Sequence, residues 1–251
     1  MAVADAIRVS QPALAMIDAL SRALPLAYCV RHASQNAQVL LVEVACWRAA
    51  LPAVALLLDA KESARVARKR FAADREVLTL AYAVHRLWLA ARLQCAPDAV
   101  PLLRDQNGCP QVPGTPFHTS LSHCDGAIAI ALSTAGAIGV DIEPASRAQG
   151  LLELADRICH PAELQALLAL PDHAREAALL RLWVRKEACL KALGVGLAWE
   201  MSAFQAPVDA PTCLINEIDH NVQITEIDTI SPWRVAVAAA PNATLEWAWL
   251  E

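Results

Sequence analysis

Long apolar runs are missing from this sequence, although 56% of its residues are hydrophobic. A membrane helix needs about 20 consecutive apolar residues. The best candidate, 49–58, is about half that and carries Pro52. The chain does not open on a basic segment followed by an apolar core, so no secretory leader is expected. Positive charge is not in excess: the formal net charge is −5, which argues against wholesale nucleic-acid or anionic-membrane binding. None of the eight cysteines forms a Cys-x-x-Cys pair. Zinc ligation and a disulfide framework are therefore unsupported, and free thiols in a reducing cytoplasm are expected. The sequence also lacks a Walker loop, a dinucleotide fingerprint, a His-Glu-x-x-His helix and a Gly-x-Ser-x-Gly elbow. Phosphate binding, if present, would have to come from a metal ion and basic side chains.

What is present suffices for a folded chain. Its 251 residues can bury a substantial core. Residues 1–36 read as irregular, with Pro12 and Pro25. The apolar, β-branched stretch 39–47 reads as a strand, as do 128–133 and 137–143, which are joined by Thr134-Ala135-Gly136. Val77, Leu80, Ala81, Val84, Leu87, Trp88 and Ala91 recur at helical spacing across 74–93. A loop covers 104–117. A helix starts near Pro161, and a longer one spans 174–193 and stops at Gly194. From residue 222 the pattern alternates like strands. The expected class is α+β, with two similar subdomains divided between 1–134 and 135–251, each a small antiparallel sheet with one long helix.

Three segments carry chemistry. In Ile138-Gly139-Val140-Asp141-Ile142-Glu143-Pro144, strand alternation puts Asp141 and Glu143 on one face. Neighbouring carboxylates repel unless a cation sits between them, and Mg²⁺ suits such oxygens. The alternative is an edge strand with two solvated acids. In the helix, Trp183, Glu187 and Lys191 fall on one stripe, so Glu187 could add a third oxygen, and Lys186 and Lys191 could meet phosphate. A plain i,i+4 surface pair between Glu187 and Lys191 is the alternative. In Ser120-Leu121-Ser122-His123, His123 could donate to a phosphate, or could simply be bonded within a turn.

In this order the three segments resemble the signature motifs of phosphopantetheinyl transferases. They are Ser-Leu-Ser-His at 120–123, Ile-Gly-Val-Asp-Ile-Glu at 138–143, and Trp-Val-Arg-Lys-Glu-Ala-Cys-Leu-Lys-Ala-Leu-Gly-Val-Gly-Leu at 183–197. His160-Pro161-Ala162-Glu163 resembles the family's helix start, with Cys159 where Phe is usual. The length resembles that of the single-chain, pseudo-dimeric type serving peptide and polyketide synthetases. The resemblance implies transfer of phosphopantetheine from coenzyme A to a serine of an acyl or peptidyl carrier protein, by a monomer, with adenosine 3′,5′-bisphosphate leaving. It implies Mg²⁺ on Asp141, Glu143 and Glu187. Lys191 and Lys186 would meet phosphates, and His123 with Ser122 would line the nucleotide site. Glu187 would also help remove the serine proton.

One departure concerns the loop before Ser120. The family usually has Gly-Lys-Pro or Gly-Arg-Pro there, and this chain has Gly108-Cys109-Pro110. Arg75 or Arg86 would supply the missing cation. The basic run Lys61, Arg65, Arg68, Lys69 and Arg70 is either a docking or phosphate surface or a solvated helix face. Two further readings compete: a non-catalytic binder of coenzyme A or carrier proteins, motivated by Cys109, and a hydrolase using Ser122 and His123.

Overall fold

The computed structural model describes residues 14–16, 18–19, 22, 36–105, 108–195, 199–208, 211–213, 221–228, 232–241 and 243–251. The irregular stretch expected at the amino end lies mostly outside them. Ten strands are described: β1 (Asn36–Glu43), β2 (Leu103–Arg104), β3 (Pro110–Gln111), β4 (His118–Cys124), β5 (Ala127–Ser133), β6 (Ile138–Pro144), β7 (Pro211–Cys213), β8 (Asn221–Ile227), β9 (Trp233–Ala239) and β10 (Thr244–Leu250). The described helices of eight residues or more are α1 (Ala60–Ala67), α2 (Ala72–Leu93), α3 (Pro161–Leu168) and α4 (Asp172–Leu193).

The first sheet runs β10-β1-β5-β4 and the second β6-β9-β8-β7; β2 and β3 form a separate ribbon. Four layers result: α2, first sheet, second sheet, α4. Even-numbered residues of β1, such as Leu40 and Val42, pack with Val77, Leu80, Val84 and Trp88 of α2. Odd-numbered ones, such as Val39 and Leu41, meet Ile138, Val140 and Ile142 of β6. Ala236 and Ala238 of β9 face α4 with Leu179, Ala188 and Leu190. Strands buried on both faces read as continuous apolar runs, which is why β1 and β5 stand out in the sequence.

The α+β class and the two sheet-plus-helix units match the expectation. The first sheet is not wholly antiparallel, however, because β1 pairs with β10 in parallel. Strand β10 arrives from the second sheet after β9, so no hairpin dictates its direction. The expected strand at 39–47 ends at Glu43, and Val44–Trp47 is a helical turn. Val44 N–H bonds to Gly126 O at 3.0 Å, which turns the chain out of the sheet.

Helix α1 is fixed by a capping box. Asp59 Oδ1 accepts from Glu62 N (2.8 Å), and Glu62 Oε2 accepts from Asp59 N (3.2 Å). Behind it, Arg104 Nη2 lies 3.2 Å from His85 Nδ1, and His85 Nε2 lies 2.7 Å from Thr119 Oγ1. Thr119 Oγ1 donates to Ala131 O (2.9 Å). Arginine can only donate. His85 is therefore the neutral Nε2–H tautomer, and its burial beside Arg104 and Arg86 holds its pKa well below 6.5.

This has a pH consequence. The unfolded chain takes up a proton at His85 near pH 6.5 while the folded chain resists it, so His85 costs stability as pH falls below about 6.5. Glu187, with its raised pKa, acts with the opposite sign, so the comparison must be between variants. The stability advantage of the wild type over His85→Gln should narrow below pH 6.5 by up to ~1.4 kcal/mol per pH unit. Denaturant melts at pH 7.5 and 5.5 check it, and a constant gap would refute it.

Candidate active site

The site lies where the two sheets meet, between β4, β6 and α4. Strand β6 alternates as expected, with Ile138, Val140 and Ile142 turned to the inter-sheet core. Its other face is covered by α4. A Cβ on Gly139 would lie 2.0 Å from Ala188 O and 2.4 Å from Ala192 N. Only glycine lets the helix backbone rest directly on the strand, and that contact brings Glu187 and Lys191 to Asp141.

Asp141 is buried, with 3% exposure, which excludes the solvated-acid alternative for this residue. Its Oδ1 accepts from Lys191 Nζ (2.5 Å) and from Ser122 Oγ (2.7 Å), and Lys191 Nζ also reaches Ser122 Oγ (2.8 Å). Its Oδ2 is buried with no hydrogen-bond partner. Glu143 is half-buried, and its pKa is raised by burial and by Asp141. Burial, then the charge of Asp141, pushes Glu187 up to about 7. Lys191 is bonded to Asp141, and its charge offsets only part of the upward shift at Glu187. Asp141, Glu143 and Glu187 carry hard oxygens of the kind that suits a cation such as Mg²⁺, and Asp141 keeps one oxygen orphaned, but the three are not drawn together into a ligand group. Among the described residues, as they stand, no group of three or more His, Cys, Asp or Glu side chains could hold a metal ion.

Beside this cluster opens a cleft of about 630 Å³ lined by Arg65, Arg68, Lys69, Tyr82, Gly108 and His123, among others. His123, near the end of β4, is exposed as a residue and lines the wall of the cleft. The surrounding walls desolvate it, and Lys69 and Lys191 add to the effect, lowering its pKa to about 4. Ser122 and His123 are strand neighbours on opposite faces, one buried and one exposed. Ser122 donates to Asp141, so the serine–histidine pair a hydrolase needs is not formed.

Three other predicted residues lie away from the cleft. Lys186 is fully buried, with Nζ bonded to Met201 O (2.7 Å), Phe204 O (2.7 Å) and Glu163 Oε2 (2.6 Å). All three ammonium hydrogens are used. Arg75 donates to Lys69 O (2.9 Å) and Arg70 O (3.0 Å), closing the turn between α1 and α2. Arg86 is buried against Glu62 (2.8 Å) and Asp59 (3.2 Å). The cation next to the Gly108-Cys109 loop is instead Arg65. Its Nη2 donates to Asp105 O (2.7 Å), and its Nη1 would lie 3.1 Å from a Cβ on Gly108. The basic run was the available signal, but sequence spacing could not single Arg65 out of it.

Buried carboxylates and a lysine beside a basic cleft suit a ligand that carries several phosphates. Comparison with known proteins narrows this. A family profile described as the 4'-phosphopantetheinyl transferase superfamily matches residues 137–245. A putative 4'-phosphopantetheinyl transferase of Synechocystis sp. is 32% identical over 155 residues, 60% of this chain and 63% of that protein. The 4'-phosphopantetheinyl transferase HetI of Nostoc sp. is 31% identical over 175 residues, 65% of this chain and 73% of that protein. The 4'-phosphopantetheinyl transferase AcpT of Salmonella typhi is 31% identical, covering 57% of this chain and 72% of its own. The chain belongs to the 4'-phosphopantetheinyl transferase superfamily. Six cysteines among the described residues are free thiols, and no described helix is long and apolar enough to cross a membrane.

Proposed function

We propose that this protein transfers 4′-phosphopantetheine from coenzyme A to a serine of an acyl or peptidyl carrier protein. The observation that carries the reading is the orphaned, buried Oδ2 of Asp141, set beside Lys191, Glu143 and Glu187 at the mouth of a basic cleft. A buried acceptor without a partner costs about 1–3 kcal/mol, so its retention calls for a ligand that satisfies it.

In this reading Arg65, Arg68, Lys69 and His123 hold the nucleotide end of coenzyme A, and Lys191 holds the diphosphate. Asp141, Glu143 and Glu187 would hold Mg²⁺, which when bound neutralises charge on the diphosphate oxygens. Ser122 fixes the orientation of Asp141 and Lys191. The carrier serine oxygen forms a bond to the phosphorus bearing pantetheine, and the bond from that phosphorus to the bridging diphosphate oxygen breaks. Adenosine 3′,5′-bisphosphate leaves, and Glu187 takes the serine proton. Phosphoryl transfer depends mainly on positioning and charge neutralisation, which these residues supply. A monomer suffices for this reading, because the cleft and the carboxylate cluster come from one chain.

The test is the intact mass of apo carrier proteins after incubation with this protein, coenzyme A and Mg²⁺. The expected result is a gain of one phosphopantetheine, abolished by EDTA. Asp141→Ala should lower the rate by at least ~100-fold, as is typical for the loss of one electrostatic stabiliser. Mass unchanged on carriers from several pathways, with coenzyme A still bound, would leave a binder and not an enzyme.

A further inference from the structure

The polar chain buried behind the basic cleft is used by neither the carboxylates around Asp141 nor Lys191, yet it spans both walls of the cleft. At one end is Glu62 of α1, 3% exposed. Its Oε2 accepts from Arg86 Nη2 (2.8 Å), and its Oε1 accepts from Arg104 Nε (3.3 Å). Arg104 lies 4.2 Å from the centre of the Tyr82 ring, and Tyr82 forms part of the cleft wall. Through Nη2 Arg104 also bonds His85, which passes the connection to Thr119. Thr119 is on β4, four residues before His123. Glu62 is on α1, three residues before Arg65. The chain therefore links the element carrying Arg65 to the strand carrying His123, with Tyr82 of the cleft wall held against Arg104.

Such a chain is costly to build. Buried ionic groups seldom add net stability over well-packed apolar residues, and removing one partner leaves the other charge uncompensated. What they do provide is fixed geometry. Arginine has a rigid fork, and its bonds to Glu62 and His85 orient it in one way only. Apolar packing alone would let α1, only eight residues long, slide along α2.

We infer that Glu62 is a positioning residue for the nucleotide end of coenzyme A, holding Arg65, through α1, in register with His123 across the cleft. This rests on the proposed function, because it takes coenzyme A to be what fills the cleft. Glu62 does not touch the ligand. It acts through Arg104 and Arg86, and its effect is confined to the nucleotide end, where Arg65 and His123 face the 3′-phosphate in the proposed reading. The reacting end, at Asp141, Glu187 and Lys191, belongs to different elements and should not feel it.

The experiment compares wild type and Glu62→Gln with coenzyme A and with dephospho-coenzyme A, which lacks the 3′-phosphate. The expected result is a KM for coenzyme A raised by about 10-fold or more in Glu62→Gln, equivalent to ~1.4 kcal/mol. The kcat should stay within about 2-fold, and the preference for coenzyme A over dephospho-coenzyme A should be largely lost. A purely structural role would lower the melting temperature and leave that preference intact, and this result would overturn the inference. If Glu62→Gln does not fold, Arg104→Lys carries the same test with the same outcomes. It keeps a charge opposite Glu62 but has no fork to bond Glu62 and His85 together. A wild type that binds neither nucleotide overturns the proposed function and this inference together; a wild type that prefers coenzyme A beside a variant that still does overturns only the inference.

Discussion

Gly139→Ala should abolish most of the activity while leaving both halves of the site chemically intact. The added methyl would lie 2.0 Å from Ala188 O, a backbone atom that cannot swing aside. Normal contact requires more than 3 Å, so α4 must lift off β6 by roughly 1 Å. Lys191 Nζ sits 2.5 Å from Asp141 Oδ1, and Glu187 is on the same helix. A displacement of about 1 Å at a phosphoryl-transfer centre costs on the order of 100-fold in rate. Overpacking a filled interface costs a further ~1–3 kcal/mol of stability. The check is a rate measurement and a thermal melt on one preparation. A folded Gly139→Ala protein with normal turnover would mean that the close approach of strand and helix is not what aligns the site.

Lys186→Met separates two roles that the sequence motif runs together. If Lys186 bound phosphate, the variant would fold normally and bind coenzyme A poorly. The structure leads to the opposite result. The ammonium is fully buried and holds Glu163 and two carbonyls of the 201–204 turn. Glu163 in turn accepts from His160 N (2.8 Å) at the start of α3 and from Ala206 N (2.8 Å). Removing one partner of a buried pair costs about 3–5 kcal/mol. For a chain of this size that lowers the melting temperature by on the order of 10 °C. Below the transition, KM for coenzyme A should stay near the wild-type value. The double variant Lys186→Met/Glu163→Gln should recover part of the loss, because no unpaired charge then remains. A melting temperature within about a degree of wild type, together with a large rise in KM, would restore the phosphate role.

Much of the architecture was legible in the sequence because its causes are local or periodic. Helix α2 is written in apolar spacing, α4 in spacing and in the stop at Gly194. The alternation of Ile138, Val140 and Ile142 gave the correct inward face of β6. The ordered motifs around Ser122, Asp141 and Glu187 come from separate segments that the fold brings together. What the sequence could not specify depends on partners far along the chain. The parallel pairing of β1 with β10 joins residues some 200 positions apart, and its direction has no local signal. Neither does the pairing of Lys186 with Glu163. A lysine one position from a metal-type glutamate looks the same on paper whether it faces phosphate or core. On a helix, successive residues point about 100° apart, so Glu187 can face the cleft while Lys186 faces the interior. The same reasoning covers the missing cation at Cys109. The sequence reading offered Arg75 or Arg86 as its replacement, and neither serves. The folded chain sent Arg75 to cap a turn, buried Arg86 against Glu62, and left Arg65 beside Gly108, because only packing in three dimensions decides which of several equivalent charges is already satisfied and which still faces the cleft.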